Sequence, residues 1–322
     1  MNKIVQNIKI TKLDKSRVEI TGSIKAEEFA VFREKALENI NNEVNIDGFR
    51  KGKVPENILI SKVGDMTILE EMAELALSKA YPEIIINEKI DAIGRPEIQI
   101  TKLAADNPLE FKIITAVTPE IKLGDYGKIA KEVMAKKEEE AVVTDKELEE
   151  TVEKIKKSHA DHVGHDHDSL ESKEQVRKYL LEDKKLQARE KKRIAIADKL
   201  IESATIELPD ILVNSEMKRI EAQFSDDIER MGIKLDDYLK HAKKTIEEIR
   251  KEWIPQAEKK AKLQLILNEI AKLEKINPDA KEIEEEVGHI MKHYKDADRE
   301  RAAIYAETVL TNEKVFQFLE QV

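Results

Sequence analysis

Gly48-Phe49-Arg50-Lys51-Gly52-Lys53-Val54-Pro55 places an aromatic ring and a cluster of cations among two glycines and a proline. Glycine leaves the backbone unrestrained and proline lacks an N–H, so a helix does not continue through such a stretch. Helical patterning on both sides makes it an exposed loop between two helices. A loop of this chemistry suits an anionic partner that also offers a place for an aromatic ring, as a ribonucleoprotein surface does. The alternative is a short basic turn whose Phe49 folds back into the core.

Before the loop, Ile4, Ile8 and Ile10 share one parity, and Val18, Ile20 and Ile24 share another, with the polar Asp14-Lys15-Ser16 between them. Period two with a polar break is a β-hairpin. A helix over about residues 26–44 is expected from Phe29, Ala36 and Ile40 on one face. After the loop, Pro55 opens a helix to about Val63, Gly64 stops it, and a longer helix over 67–87 turns Leu69, Met72, Ala73, Ala76 and Ala80 inward despite Pro82. Two strands then follow, one carrying Ile98 and Ile100, the other Phe111, Ile113, Thr115 and Val117, separated by Asp106-Asn107-Pro108. Residues 1–118 therefore read as an α+β domain with the basic loop at a tip between helices.

Residues 119–143 show no clean period and read as an extended connector. Thr144 and Glu147 form a capping box that opens a helix, and Ser172-Lys173-Glu174-Gln175 opens a very long one reaching about Ser203. Ile206-Glu207-Leu208-Pro209 is a break; helix resumes at Asp210, and Gly232 terminates it. A small helix over 235–241 follows. Thr245 caps a helix containing Trp253 and Pro255, where the proline either kinks the helix or marks a restart. Asn277-Pro278 reads as an N-cap followed by the first helical residue, and a last helix spans about 298–321. Residues 144–322 thus read as an elongated all-α domain of helical hairpin arms.

Composition narrows the functions open to this chain. It has 322 residues, enough for about two domains. Charged residues make up 38% and aromatics 4%, which favours long solvated helices over a compact enzyme core. A formal net charge of −10 excludes general coating of nucleic acid, so contact with RNA must be local, through Arg50, Lys51 and Lys53. The absence of cysteine excludes disulfides, thiolate metal sites and cysteine nucleophiles. Residues 1–10 lack the apolar core of a signal peptide, and no stretch approaches the ~18 apolar residues of a membrane span, so a cytoplasmic location without membrane contact is expected. No phosphate loop, dinucleotide pattern, zinc-protease helix or nucleophile elbow is present, and no catalytic residue or cofactor is nominated.

Residues 158–168 concentrate His159, His162, His165 and His167 with three aspartates. Imidazole and carboxylate suit a divalent metal, but the spacing matches no zinc signature, and a polar hairpin with adventitious affinity explains it as well. His289 and His293 stand four apart on one helix, which fits a metal pair or a solvated face. Met217, Ile220, Phe224, Ile228 and Met231 recur at helical spacing, either as a surface for apolar ligands or as the seam between paired helices.

Asp47-Gly48-Phe49-Arg50-Lys51-Gly52-Lys53-Val54-Pro55 resembles the ribosome-docking signature of trigger factor, the bacterial ribosome-associated chaperone family. The order of segments around it is similar, as are Val117-Thr118-Pro119-Glu120-Ile121, Leu123-Gly124-Asp125-Tyr126, Val142-Val143-Thr144-Asp145, and Ile206-Glu207-Leu208-Pro209 with Val213-Asn214-Ser215-Glu216. The resemblance implies docking at the ribosomal exit, with Gly48, Phe49, Arg50, Lys51, Gly52 and Lys53 meeting protein and rRNA there. It also implies a helical cradle for unfolded or nascent polypeptides that works without ATP; a homodimer of the unbound protein stays open. Most of the family inserts a prolyl-isomerase domain of roughly a hundred residues near the end of the helix that Thr144 opens. Here residues 158–168 stand in its place, which leaves no room for that domain and implies a chaperone that is not an enzyme. Residual isomerase activity and metal handling by the histidine tract are the alternatives.

Overall fold

The computed structural model describes residues 4–136, 142–160, 173–294 and 297–322. Met1–Glu120 with Ile206–Glu258 form one compact unit, and Ile121–Thr205 with Lys259–Val322 form a second.

In the first unit, β1 (Val5–Leu13), β2 (Arg17–Ile24), β3 (Ala92–Lys102) and β4 (Leu109–Val117) form an antiparallel sheet in the order β1-β2-β4-β3. The inner pair β2 and β4 runs in unbroken register from Arg17 opposite Ala116 to Ile24 opposite Leu109. The register of β1 shifts between Gln6 and Lys9, and that of β3 shifts between Ile93 and Glu97, next to Pro96. One row of isoleucines crosses the whole sheet: Ile10, Ile20, Ile113 and Ile98. Its centre is sealed, with Ile20 and Ile113 at 0% exposure, while Ile10 and Ile98 at the edges reach 38% and 44%. The expected parity of the strand with Ile98 and Ile100 is present, but both side chains are exposed, because they stand on an outer strand.

The helical layer supplies the other half of this core. α1 (Ala26–Ala30) and α2 (Arg33–Glu43) replace the single helix expected over 26–44. The break is a tightened turn in which the Phe32 amide donates to the Phe29 carbonyl at 3.1 Å. It lets Phe29 stay buried while Val31 faces solvent. α3 (Glu56–Val63) begins one residue after Pro55, and α4 (Asp65–Asn87) runs unbroken through Pro82. Ile68, Met72, Ala73, Ala76, Leu77, Ala80 and Ile84 of α4 share one apolar cluster with Ile20, Phe111 and Ile113. The buried Thr115 hydroxyl is matched by Tyr81 Oη at 3.0 Å, so this polar group is not left unpartnered.

α8 (Asp210–Arg230), α9 (Leu235–Ala242) and the start of α10 (Ile246–Glu274) complete the first unit. Phe224 sits edge-on to Tyr238 and Trp253, with ring centroids 5.3 and 4.9 Å away. After α8 the amides of Gly232 and Ile233 donate back to the carbonyls of Glu229 and Ile228, closing the helix end. Thr245 and Glu248 form the expected capping box, and α10 continues through Pro255 without restarting. Near the start of α8, Lys15 Nζ meets Asp210 at 2.8 Å and Ser16 donates to the Glu207 carbonyl.

In the second unit, the stretch read as an extended connector contains α5 (Tyr126–Met134), started by Asp125, whose carboxylate accepts from the Lys128 amide at 2.9 Å. α6 (Asp145–Ala160) opens on the Thr144–Glu147 capping box, and α7 spans Lys173–Ser203. Ser172 and residues 161–168 of the histidine tract lie outside the described residues. Val143, Leu148 and Val176 form the apolar seam between α6 and α7. α11 (Ala280–His293) and α12 (Arg299–Gln321) pair through Val287, Ala302 and Ala306. The cap of α11 is Asp279 rather than Asn277: its carboxylate and Glu282 satisfy each other's backbone amides, so the helix starts two residues later than the proline suggested.

Candidate functional site

The basic loop occupies residues 44–55, between the end of α2 and the start of α3. Asn41, in the last turn of α2, holds its far end. The Gly52 amide donates to the Asn41 carbonyl at 2.8 Å, the Val54 amide donates to Asn41 Oδ1 at 3.1 Å, and Asn41 Nδ2 donates to the Val54 carbonyl at 2.9 Å. Val54 is buried in the sheet-and-helix core at 4% exposure, which anchors the stem of the loop. Within the loop, the Phe49 amide donates to the Ile46 carbonyl and the Lys53 amide to the Arg50 carbonyl, at 3.1 and 3.0 Å. Gly48 and Gly52 have φ of 87° and 76°, a region that side-chain-bearing residues disfavour, so both turns depend on glycine.

This scaffold turns the chemistry outward. Phe49 is 37% exposed, and Arg50, Lys51 and Lys53 are exposed as well. None of the three cations makes an ion pair with another described residue. The arrangement offers an aromatic edge and unspent positive charge on a chain of net charge −10. It suits an anionic surface with an apolar recess. Asn41 escaped the sequence reading. Its only signal is an amide side chain in the final turn of a helix, where such side chains reach for following backbone.

The second set of candidates sits on α8. Ile220 and Ile228 are buried, Met217 is half-buried, and Phe224 is held between Tyr238 and Trp253. Met231, at the turn after α8, is 68% exposed, and Ile233 beside it is also exposed. Further exposed apolar side chains lie on α7 (Tyr179, Leu186, Ile194) and on α12 (Ile304, Tyr305, Val309).

His159 falls in α6 but its side chain is not described, and His162, His165 and His167 lie outside the described residues. His289 and His293 line a hollow beside α11 with Glu286 and Tyr294. Among the described residues, no group of three or more His, Cys, Asp or Glu side chains could hold a metal ion, and no helix is long and apolar enough to cross a membrane.

Electrostatic perturbation concentrates in helix-to-helix links of the second unit. Hydrogen bonds from Arg193 hold the Glu313 carboxyl down to about 2 against the opposing effect of burial. Burial also works to raise Glu320, but Arg189 and Arg193 together keep it below the usual carboxylate range. Arg193 meets Glu313 at 2.7 and 2.8 Å and Glu320 at 2.6 Å, and lies 5.5 Å from the centre of the Phe316 ring. Between α6 and α7, Lys184 bonds both oxygens of Glu147 at 2.8 Å, and that bond chiefly holds Glu147 at about 2. These shifts follow from ion pairs that fasten helices, not from a reaction centre.

Comparison with known proteins agrees with the loop and with the order of elements. A family model described as bacterial trigger factor protein matches residues 6–155, and one for the C-terminus of the same protein matches residues 170–320. A trigger factor of Carboxydothermus hydrogenoformans is 25% identical over an alignment covering 93% of this chain and 94% of its own length. One from Moorella thermoacetica is 26% identical, covering 86% of this chain and 85% of its own. The Carboxydothermus alignment runs over 407 positions, more than this chain possesses, so that relative carries residues with no counterpart here. A solved structure of the trigger factor chaperone, described for promiscuous substrate recognition in folding and assembly, covers 98% of this chain and 99% of its own with a TM-score of 0.58 at 18% identity. The chain belongs to the trigger factor family of chaperones.

Proposed function

We propose that this protein docks at the ribosomal exit through the loop of residues 48–53 and holds emerging polypeptides on its helical segments, without ATP. The observation that carries the reading is the braced loop with exposed Phe49 and unpaired Arg50, Lys51 and Lys53 on an acidic chain. Cations meet rRNA phosphate and acidic side chains, and the ring fills an apolar recess on ribosomal protein. Gly48 and Gly52 serve as the turns that present them. Residues 1–118 act as the docking domain, and the helices beyond residue 144 act on clients.

For client holding, the exposed apolar side chains on α7 and α12, together with Met231 and Ile233, are scattered among charged neighbours. Dispersed, shallow apolar contacts suit many sequences with low affinity. In the α8 stripe, Met231 is the member open to a client, while Ile220, Phe224 and Ile228 support the hairpin that presents it. The chaperone works without an isomerase domain. The two family matches are separated by residues 156–169, far short of the size of an independent domain.

Co-sedimentation with bacterial ribosomes tests the docking. Phe49→Ala/Arg50→Ala/Lys51→Ala should leave most of the protein in the supernatant at a salt concentration where the unaltered chain pellets. If the triple variant pellets equally well, the docking assignment is wrong.

A further inference from the structure

We infer that Asn41 is a positioning residue for the docking loop: its side-chain amide holds both backbone groups of Val54, beside the bond from Gly52 to its backbone carbonyl, and so sets the orientation of Phe49, Arg50, Lys51 and Lys53 before a partner arrives. The inference rests on the docking reading above and adds to it a residue outside the signature.

The geometry that supports this is a three-point brace from a single residue. Asn41 Oδ1 accepts from the Val54 amide, Asn41 Nδ2 donates to the Val54 carbonyl, and the Asn41 carbonyl accepts from Gly52. The side chain thus takes both backbone groups of one residue, as a neighbouring strand would, thirteen positions along the chain. The brace adds hydrogen bonds to a loop otherwise fixed by the buried Val54 and by Ile46, which packs half-buried against the core. Residues 45–51 are exposed or half-buried, and their own hydrogen bonds to backbone, from Phe49 to Ile46 and from Lys53 to Arg50, are local turns that can form in many loop orientations. Val54 and Ile46 tie those turns to the core, and Asn41 ties the cation-bearing end to α2.

Without the brace the cations and ring remain, but the loop samples more arrangements, and only a fraction of them fits the partner. Apparent affinity falls in proportion to that fraction. The number of phosphate contacts in the bound state does not change, so the salt dependence of binding should not change either. Removing a cation alters both.

The test measures binding to purified bacterial ribosomes at several salt concentrations, with amide hydrogen exchange on the free protein. Asn41→Ala should weaken binding roughly fivefold to tenfold, with the same slope of log affinity against log salt as the unaltered chain. Exchange at Val54, whose amide donates to Asn41 Oδ1, should accelerate while the β2, β4 and α4 amides keep their protection. Asn41→Leu fills the same space and favours helix, so it should be as weak as Asn41→Ala; full affinity in the Leu variant would show that volume or helix stability, not the brace, was responsible, and would overturn the inference. It also carries the test if the Ala variant loses protection in the core. Binding of Asn41→Ala within twofold of the unaltered chain, while the Phe49/Arg50/Lys51 triple variant fails to bind, would overturn the role of Asn41 and leave docking intact. A triple variant that binds normally would overturn both.

Discussion

The core behind the docking loop and the α7–α12 contact of the second unit are built from opposite materials. Behind the loop, Ile20, Phe111 and Ile113 from the sheet meet Ile68, Met72 and Leu77 from α4 in one continuous apolar cluster. Between α7 and α12, Arg189 and Arg193 reach Glu313 and Glu320, and the ring of Phe316 lies under a guanidinium. Apolar burial carries no group that titrates in acid; charge-assisted hydrogen bonds to carboxylates do. The end proposed to dock therefore has a base without titrating groups, while the helices proposed to meet clients are joined by links that titrate.

The largest effect expected from breaking this contrast comes from Phe111→Ala, which should destabilise the sheet-and-helix core by about 3–5 kcal/mol. Urea unfolding followed by exchange of the β2, β4 and α4 amides measures it, and an effect no larger than that of a surface change would mean the cluster is not the keystone described here. Next is Arg193→Ala, which leaves Glu313 without its main partner and Glu320 with Arg189 alone, and should cost about 2–4 kcal/mol of local stability in α7 and α12. The β2 and β4 amides should not respond, and equal loss of protection in both places would erase the distinction between the two regions.

Acid gives a reversible form of the same test. The folded state holds Glu313 at about 2, well below its ordinary 4.5. A carboxyl depressed by folding contributes stability that is complete above its unfolded value and disappears as pH falls through the folded one. Protection of α7 and α12 amides should therefore weaken from about pH 4.5 towards about pH 2, and Glu313→Gln should flatten that response. The buried cluster behind the loop carries no charge, so its amides should change far less over that window. The smallest effect concerns the loop alone. Gly52→Ala places a side chain at φ of 76° and brings its Cβ to 2.6 Å from Asn42 Oδ1. The Asn42 side chain is exposed and can swing away, leaving backbone strain of about 1 kcal/mol. The variant should fold normally by circular dichroism and bind ribosomes several-fold more weakly.

The loop was legible in the sequence because its chemistry is compressed into eight consecutive residues, of which only Val54 is buried in the core. The inner strands were legible because both of their neighbours in the sheet are strands, so parity and burial coincide. Parity alone does not say which strand lies at the edge, so the shared parity of Ile98 and Ile100 left open that both are exposed. α5 was hidden by Gly127 and by the charge run after residue 135, although Asp125 is an ordinary helix start. The histidine tract carries a metal reading that the described residues do not reach. Asn41 and Arg193 were illegible for a common reason. Their partners are 13 and 127 positions away, and only the fold brings them within reach.

The outer strands of the sheet have a bearing on what happens when the protein is surrounded by unfolded chains. A flat, regular edge would let any extended polypeptide add itself as a further strand, and its own outer face would then accept the next. Here each border is interrupted, at Asn7 on one side, where φ is 56°, and around Pro96 on the other. The run of amides and carbonyls needed for templated growth is cut on both borders, even though isoleucines lie exposed beside them. The sheet packed beneath the helices that carry the loop is therefore a poor seed for cross-β polymerisation.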